Sequence, residues 1–286
     1  MTRFKNRIDA LSQVTARGEG ILSISLAPRD PREHKALVDE VGFLRECGMD
    51  QLLMLFYEPE AMGVANVAPA EIRALKAGAS ALAYREAFFD CMAAVREAFP
   101  DLPLICSTVL PDIASYGQRR CLHRCFEVGV DAIDPPNYRA IEDPVGLVED
   151  SLAEKVHYIY SFMSDALTEE RLCEPAVQSS LRSILSRSFG EVFVVPAVSG
   201  TVTALKGESI RPLMEHLRLL LQEVQADPRI IAISGINTPQ DAYEMTHVAG
   251  AHGVHFSSAY LKRAEKGIPR NEIATWLREV KDAMRR

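Results

Sequence analysis

The stretch IIAISGINTPQDAYEMTHVAGAHGVHFSSAYLK, residues 230–262, decides the fold of this chain. Two short apolar segments, Ile230–Ile233 and Gly253–Phe256, are separated by a longer amphipathic stretch, and a second such stretch follows Ser257. Short strands that alternate with amphipathic helices are typical of βαβ units, in which a parallel sheet has its helices outside. The same alternation extends over the rest of the chain.

Eight apolar segments have the length and composition of buried strands. Eight strands with helices between them predict a (β/α)8 TIM barrel, and one such domain accommodates residues 1–286. A doubly wound open sheet is the alternative, because strand order is not readable from sequence. The predicted strands are Ile21–Leu26, Gln51–Phe56, Pro103–Val109, Gly129–Asp134, Val156–Tyr160, Val192–Val195, Ile230–Ile233 and Gly253–Phe256.

Three predicted helices complete this picture. An extra N-terminal helix over Arg3–Thr15 precedes the barrel. A helix that opens at Asp30-Pro31 runs to Cys47, with proline suited to its first turn. The last helix, Asn271–Met284, carries Trp276, which we expect to anchor it on the barrel wall.

Composition excludes several functions. Apolar residues make up 48% of the chain, and its net charge of −7 gives no reason to expect nucleic acid or an anionic membrane as partner. No apolar run reaches the length of about 20 residues that a membrane span needs, and the polar N-terminus lacks the apolar stretch of a signal peptide. Cys121 and Cys125 are four residues apart, but no second pair of the six cysteines has zinc-ligand spacing, so we expect reduced packing residues in a cytoplasmic protein.

Glycine and hydroxyl residues follow the last three predicted strands. In a parallel barrel, functional residues cluster where strands end and the following loops begin. Glycines let the backbone approach an anion, amides at a helix start point towards it, and hydroxyl groups add donors. Three such loops in succession predict a phosphate site, although the same residues also favour turns and helix caps. The phosphate-binding candidates are Gly200, Thr201, Thr203, Gly235, Ser257 and Ser258.

Several segments together resemble a known family. The segments that carry the resemblance are Arg17–Gly20 with Asp30-Pro31, Cys125–Asp131 with Asp134-Pro135, Ser199–Thr201, Gly235–Pro239, and Ala249–Val254 with Ser257–Ala259. They extend over roughly residues 17–262 without a large gap, and the family that they resemble is that of the tryptophan synthase alpha chain.

The resemblance implies a reaction and a partner. The family cleaves indole-3-glycerol phosphate to indole and glyceraldehyde 3-phosphate by a retro-aldol type reaction without a cofactor. One carboxylate at the end of the second strand and another in the following loop perform its acid/base work. The family's alpha chain also docks onto a pyridoxal-phosphate-dependent beta chain and activates it.

The chain departs from the family at both catalytic carboxylates. Leu52 falls where the resemblance places the strand-two glutamate. The position of the family's loop aspartate falls near Gly63 or, with a small shift, at Asn66, and neither residue is a carboxylate. Ordinary cleavage of indole-glycerol phosphate is therefore doubtful.

The predicted pocket is also more polar than that of the family. Burying unpaired hydroxyl groups against indole would cost about 1–3 kcal/mol each, so we expect a smaller or more polar, non-indole ligand. The candidate substrate-binding residues, at positions that are aromatic or largely apolar in the family, are Ser25, Ser107, Thr108 and Ser234.

Other groups can replace the missing acids. Glu58 is the best candidate general acid or base, with Glu60 second and Tyr57 assisting, although a solvated acidic loop is the alternative. Asp134 matches a family aspartate near the site by the resemblance, and it can orient a ligand hydroxyl group or cap the turn before Pro135.

Three further titratable residues are weaker candidates. His255 and His157 lie within strands, where a lone histidine is more often a packed structural group. Asp112 follows strand three and can enter the barrel mouth or stabilise a helix start. Because no His/Glu set has ligand spacing, we propose no metal, and we expect no cofactor.

These features favour a lyase or aldolase-type enzyme that cleaves or forms a carbon–carbon bond by acid/base chemistry. Its substrate would be a phosphorylated or polar, non-indole small molecule. The alternative is a catalytically degenerate alpha-like subunit that binds or activates a pyridoxal-phosphate-dependent beta-like chain. Isomerase chemistry on a sugar phosphate is a third interpretation, which fold analogy alone supports.

Overall fold

The strands of the computed structural model form a closed parallel barrel. The structure describes residues 2–26, 33–56, 81–135, 143–163, 167–188, 190–196, 206–233 and 235–286. Every strand pair in this part of the chain is parallel. The strands are β1 (Ile21–Leu26), β2 (Gln51–Phe56), β3 (Leu104–Thr108), β4 (Ala132–Asp134), β5 (His157–Tyr158 and Tyr160–Met163), β6 (Glu191–Val195), β7 (Arg229–Ile233) and β8 (Gly253–Phe256).

The two segments of β5 close the barrel. His157–Tyr158 pairs with β4, whereas Tyr160–Met163 pairs with β6, so the sheet order returns to the strand where it started. Backbone pairing links Leu26 through β2, β3 and β4 to Tyr158. In the other direction it links Ile21 through β8, β7 and β6 to Ser161. The two paths start five residues apart on β1, at Leu26 and Ile21, and end three residues apart on β5, at Tyr158 and Ser161. The sum of these two offsets is the shear of the barrel, which is eight, as in a TIM barrel.

The helices surround the strands, with one additional helix at the N-terminus. The first helix, α1 (Thr2–Ala16), precedes β1 as predicted. The outer helices that follow it along the chain are α2 (His34–Glu46), α3 (Ala81–Ala98), α4 (Leu110–Tyr116), α5 (Gln118–Glu127), α6 (Leu147–Ala153), α7 (Glu169–Leu172), α8 (Pro175–Arg187), α9 (Gly207–Glu223), α10 (Pro239–Tyr243), α11 (Ser258–Glu265) and α12 (Arg270–Ala283).

Several element boundaries differ from the prediction by a few residues, and two of the differences have a clear reason in the backbone. The helix expected from Asp30-Pro31 begins at His34, because Glu33 has the non-helical backbone angles of an N-cap; Asp30 and Pro31 lie outside the described residues. Strand β4 is three residues long, since Gly129 has a φ of 81° and belongs to the turn that precedes it. The bounds predicted for β1, β2 and β8 are confirmed.

The core has two parts, one on each face of the barrel wall. Inside the barrel, Ile21, Leu53 and Phe193 belong to an apolar cluster whose lower end is closed by Leu11 and Val14 of α1. The larger cluster lies between the outer face of the strands and the helices. Because successive strand residues point to opposite faces, a buried strand contributes to both clusters.

The last helix packs against the barrel wall as expected. The Trp276 ring is buried edge-to-face against Phe256 of β8, with ring centroids 5.1 Å apart, and the Arg263 guanidinium lies over its face. The cysteines are free, and all but Cys173 are buried, so the packing role expected for Cys173 is wrong. Among the helices in the described ranges, none has the length and apolarity to cross a membrane.

Candidate functional site

The inward side chains of the barrel stack in levels. A shear of eight over eight strands moves the level by one residue per strand, so alternate strands place their inward side chains at the same level. The highest complete level on β1, β3, β5 and β7 consists of Ser25, Ser107, Ser161 and Ile233. The level immediately below it, on β2, β4, β6 and β8, consists of Leu53, Asp134, Phe193 and His255.

Asp134 is held between two serine hydroxyl groups of that upper level. Ser107 Oγ donates a hydrogen bond to Asp134 Oδ2 and Ser161 Oγ donates to Oδ1, both over 3.0 Å. Burial disfavours the charged carboxylate and raises the pKa of Asp134 to about 6, while the two hydrogen bonds act in the opposite direction. The carboxyl group therefore changes its protonation state close to neutral pH, which favours a role as general acid or base.

His255 occupies the same level on β8, and it faces into the lumen. Its Nε2 lies 2.7 Å from Ser25 Oγ, and its Nδ1 lies 2.9 Å from Ser23 Oγ. Its ring also stacks against Phe193 with centroids 6.5 Å apart. Burial lowers the pKa of His255 to about 3, so its imidazole is neutral at physiological pH. His255 is thus packed, as expected for a strand histidine, but it is also bonded to a candidate substrate-binding residue.

A second carboxyl group lies on the barrel floor. Gln51 and Glu191 face each other from β2 and β6, at a level where β4 and β8 contribute only Ala132 and Gly253. Burial raises the pKa of Glu191 to about 8, against the effect of the Gln51 amide. Within the described part of the chain, neither carboxyl oxygen has a hydrogen-bond partner of ordinary length. Glu191 is therefore protonated at pH 7.

Two predicted positions point away from the lumen. Leu52 belongs to the cluster between the strands and the helices, and at the level of Asp134 the inward side chain of β2 is its neighbour Leu53. Thr108 follows Ser107 directly, so it points to the opposite face and is fully buried there. The structure therefore does not bring Thr108 together with Ser25 and Ser107, and β2 presents leucine rather than a carboxylate to the site.

The loop after β7 uses its own residues to satisfy its backbone. Gly235 has a φ of 76°, which favours glycine, and it is half-buried. The amides of Asn237 and Thr238 both donate to Asp241 Oδ2 over 2.9 Å, and Thr238 completes a capping box at the start of α10. Those two amides already donate to a carboxylate, so they are not available to an anion.

The loop after β8 leads directly into a helix. Ser257 is the N-cap residue of α11 and Ser258 is its first residue, and both are half-buried. The Ser257 side chain makes no capping hydrogen bond. The helix start thus has the orientation that favours an anion.

The structure places two of the weaker candidates, and others lie outside the described residues. Asp112 lies in the first turn of α4, where it is buried near Arg85 and burial raises its pKa to about 7. His157 is buried at the start of β5. Among the described residues, no group of three or more His, Cys, Asp or Glu side chains is arranged to hold a metal ion. The candidates outside the described residues are Tyr57, Glu58, Glu60, Gly63, Asn66, Gly200, Thr201, Thr203 and Ser234.

Sequence reasoning missed three residues of this arrangement. Ser161 lies one residue beyond the predicted end of strand five, and Glu191 lies one residue before the predicted start of strand six. Ser23 alternates with Ser25 along β1, and this spacing of two places both hydroxyl groups on one face of the strand. That alternation is the signal from which Ser23 can be inferred.

The closed parallel barrel, with titratable groups beneath its upper end, places the chain among the (β/α)8-barrel proteins. The model of the family described as tryptophan synthase alpha chain matches residues 27–285. The chain belongs to the tryptophan synthase alpha chain family.

Curated relatives extend over the full chain. It is 26% identical over 294 aligned residues to the tryptophan synthase alpha chain of Pectobacterium atrosepticum, with 100% of both chains covered. It is 27% identical to that of Cronobacter sakazakii, with 100% of this chain and 97% of the relative covered.

Solved structures share the fold. The tryptophan synthase alpha chain from Legionella pneumophila has a TM-score of 0.71 at 19% identity, with 98% of this chain and 97% of that chain covered. A chain of Mycobacterium tuberculosis tryptophan synthase has a TM-score of 0.77 at 17% identity, with 98% and 99% covered.

Proposed function

We propose that the protein is an aldolase-type carbon–carbon lyase that acts by cofactor-free acid/base chemistry on a phosphorylated or polar, non-indole small molecule. One observation carries this proposal, namely the Asp134 carboxyl group held between Ser107 and Ser161 with its pKa raised to about 6. In a (β/α)8 barrel, groups at the carboxyl ends of strands are those that meet the substrate.

Asp134 has the properties that a retro-aldol cleavage requires of its base. The base accepts the proton of a substrate hydroxyl group while the adjacent carbon–carbon bond breaks and the hydroxyl carbon becomes a carbonyl. The electron pair of the broken bond passes to the leaving carbon, which takes up a proton from an acid. A carboxylate with a pKa of about 6 is ionised at pH 7 yet more basic than an exposed aspartate. Glu58, Glu60 and Tyr57 are the proposed groups for the second proton.

The polar upper level supports a non-indole substrate. Ser25, Ser107 and Ser161 present hydroxyl oxygens from three alternate strands. An indole ring placed against them would leave unused the hydrogen-bonding capacity that these hydroxyl groups keep beyond their contacts with Asp134 and His255. A hydroxylated ligand satisfies them instead.

The substrate phosphate would bind at the loops that follow β6, β7 and β8. Gly235 supplies a backbone that approaches an anion closely, and Ser257 and Ser258 lie at the N-terminus of α11. We propose Gly200, Thr201 and Thr203 as further partners of the phosphate, together with Ser234 as a contact of the substrate.

Turnover by matched aspartate variants tests this proposal. A thermal-shift screen over phosphorylated metabolites first identifies a ligand, because binding to the folded state raises the melting temperature. Cleavage of that ligand is then measured as carbonyl release by the wild type and by Asp134→Asn. We expect the variant to lose at least about 100-fold in kcat. If it retains wild-type turnover, Asp134 is not the base.

Asp50→Asn is the matched control. Asp50 is also a buried aspartate, but it lies before the start of β2, at the opposite end of the barrel, where it pairs with Lys281. We expect it to lose stability and to keep wild-type turnover. A comparable loss of turnover in Asp50→Asn would show that the effect of Asp134→Asn is structural.

A degenerate alpha-like subunit is the second candidate function. The observation that favours it is Leu53, which occupies the inward position of β2 where no carboxylate is present. Such a protein would bind a pyridoxal-phosphate-dependent beta-like chain and change its rate. Mixing the two purified chains tests this, since a changed beta-chain rate together with no turnover of any ligand by the protein itself would favour the second function over the first.

A further inference from the structure

Ser25, His255 and Ser23 form a continuous buried chain of hydrogen-bonding groups. Ser25 Oγ and His255 Nε2 lie 2.7 Å apart, and His255 Nδ1 and Ser23 Oγ lie 2.9 Å apart. All three side chains are almost completely buried. Both ring nitrogens of His255 therefore have serine partners inside the barrel.

A neutral imidazole has one N–H donor and one acceptor nitrogen, so this chain has two arrangements. In the first, Nε2–H donates to Ser25 Oγ, and the Ser25 proton is directed elsewhere. In the second, Ser25 donates to Nε2, and only the lone pairs of Ser25 are directed elsewhere. The direction of the Ser23 hydroxyl group changes accordingly, and the net charge of the chain stays at zero.

Ser25 differs in this respect from the other serines of its level. Ser161 donates its hydroxyl proton to Asp134 Oδ1, so towards a ligand it acts as an acceptor. Ser25 can act as a donor or as an acceptor, depending on the tautomer of His255. A ligand that satisfies both serines carries a hydroxyl group that donates to Ser161 and a second oxygen that meets Ser25.

We propose that Ser25 binds an oxygen of a polyhydroxylated phosphate ester, and that His255 and Ser23 are positioning residues that set the direction of the Ser25 hydroxyl group. This inference rests on the proposed function, because it names the substrate class of the same barrel mouth. No proton is transferred through the chain. Asp134 remains the base, and Ser25 binds the substrate oxygen as hydroxyl or as carbonyl.

Pairs of ligands that differ only in hydroxyl groups test the substrate class. The probes are glycerol 3-phosphate against n-propyl phosphate, and erythritol 4-phosphate against n-butyl phosphate, with dissociation constants measured by calorimetry. We expect wild-type protein to bind the hydroxylated member of at least one pair about 10-fold or more tightly than its partner. If every pair binds equally, or if none of the four probes binds at millimolar concentration, the inference is wrong.

Variants separate positioning from general structure. We expect Ser25→Ala to remove most of the preference for hydroxyl groups while its affinity for the alkyl phosphates stays unchanged. His255→Gln keeps a donor and an acceptor on one side chain, so it should retain more of the preference than His255→Leu. Equal preferences in these two His255 variants, with both folded by circular dichroism, would contradict the positioning role.

The nitrogen resonances of His255 supply a readout on the wild-type protein, so it does not require that any variant folds. We expect the ¹⁵N chemical shifts of Nδ1 and Nε2 in the wild type to change when the preferred polyol phosphate binds, and not with its alkyl counterpart. Unchanged shifts with bound polyol phosphate would overturn the role of His255. A hydroxyl preference without any cleavage would overturn the lyase proposal alone, whereas Asp134-dependent cleavage without that preference would overturn the present inference alone.

Discussion

The hydroxyl group of Ser25 lies 2.7 Å from Nε2 of His255, although the two residues belong to the first and the last strand of the barrel. Closure of the sheet between β1 and β8 brings them together. This polar contact inside the barrel therefore depends on the pairing of β1 with β8 as well as on the two residues that face inward.

The rate of substrate cleavage should depend on pH through Asp134. Its pKa is raised to about 6, so the fraction in the basic form increases as the pH rises from 5 to 7. We expect kcat/KM on the identified substrate to rise about 10-fold over this range and then to level off. A profile that is flat between pH 5 and 7 would contradict the role of Asp134 as the base.

Glu191 should make the folded protein less stable at high pH. Its pKa is raised from 4.5 to about 8, so its contribution to stability is fully present below pH 4.5 and is lost as the pH rises through 8. We expect the free energy of unfolding of wild type to fall relative to Glu191→Gln by an amount on the order of 3 kcal/mol between pH 5 and 8. Urea unfolding at several pH values measures this, and parallel profiles for the two proteins would rule it out.

Asp131 connects the N-terminal helix to the barrel. Its Oδ1 accepts from Arg7 of α1 at 2.6 Å, and its Oδ2 accepts from Arg96 of α3 at 2.8 Å and from the amide of Leu104 at 2.9 Å. Asp131→Ala leaves two largely buried cations without their carboxylate, although backbone carbonyl groups still accept from both. We expect a loss of about 3 kcal/mol in the free energy of unfolding.

The exposed pair of Arg45 and Asp101 provides the control for Asp131. Their side chains also meet over 2.8 Å, but both are in contact with solvent. We expect Asp101→Ala to cost less than about 1 kcal/mol in the same urea experiment. Equal losses in the two variants would show that burial does not determine the strength of the Asp131 contacts.

Gly253 should be essential for the closure of β1 onto β8. A Cβ atom at this position would lie 2.6 Å from Ile21 Cβ and would also meet the Ile21 carbonyl oxygen. We expect Gly253→Ala to lower the free energy of unfolding by about 2 kcal/mol or more, through strain across the strand pair.

Gly42→Ala is the corresponding control. Gly42 lies within α2, and an added Cβ would make an ordinary contact with Phe99 at 3.6 Å. Since alanine is the better helix former, we expect unchanged or increased stability, by up to about 1 kcal/mol. If Gly253→Ala were as stable as Gly42→Ala, the pairing of β1 with β8 would accommodate the added Cβ atom without loss of stability, which would contradict this prediction.

The sequence predicted the barrel and most strand positions, because short apolar strands and amphipathic helices alternate along the whole chain. It did not predict which face of a strand is inward when both faces are buried. Ser107 and Thr108 were both predicted to bind substrate for this reason, and only Ser107 faces the lumen. The family's glutamate was aligned with Leu52, whereas Leu53 is the inward residue.

The contacts within the site were beyond sequence reasoning for a different reason. The partners of Asp134 and His255 lie on neighbouring strands that are distant in sequence, and the shear of the barrel determines their levels. The sequence predicted Ser25, Ser107 and Asp134 individually as candidates, without their contacts. It did not identify Glu191, whose burial opposite Gln51 depends on the small residues Ala132 and Gly253 at the same level.

Proton NMR of the protein mixed with its identified phosphorylated ligand tests the central claim most directly. The lyase account predicts that the wild type converts the ligand into two smaller molecules, one with a new carbonyl group, and that Asp134→Asn binds the ligand and leaves it intact. A ligand that stays intact with the wild type, or that is cleaved equally fast by Asp134→Asn, would contradict it.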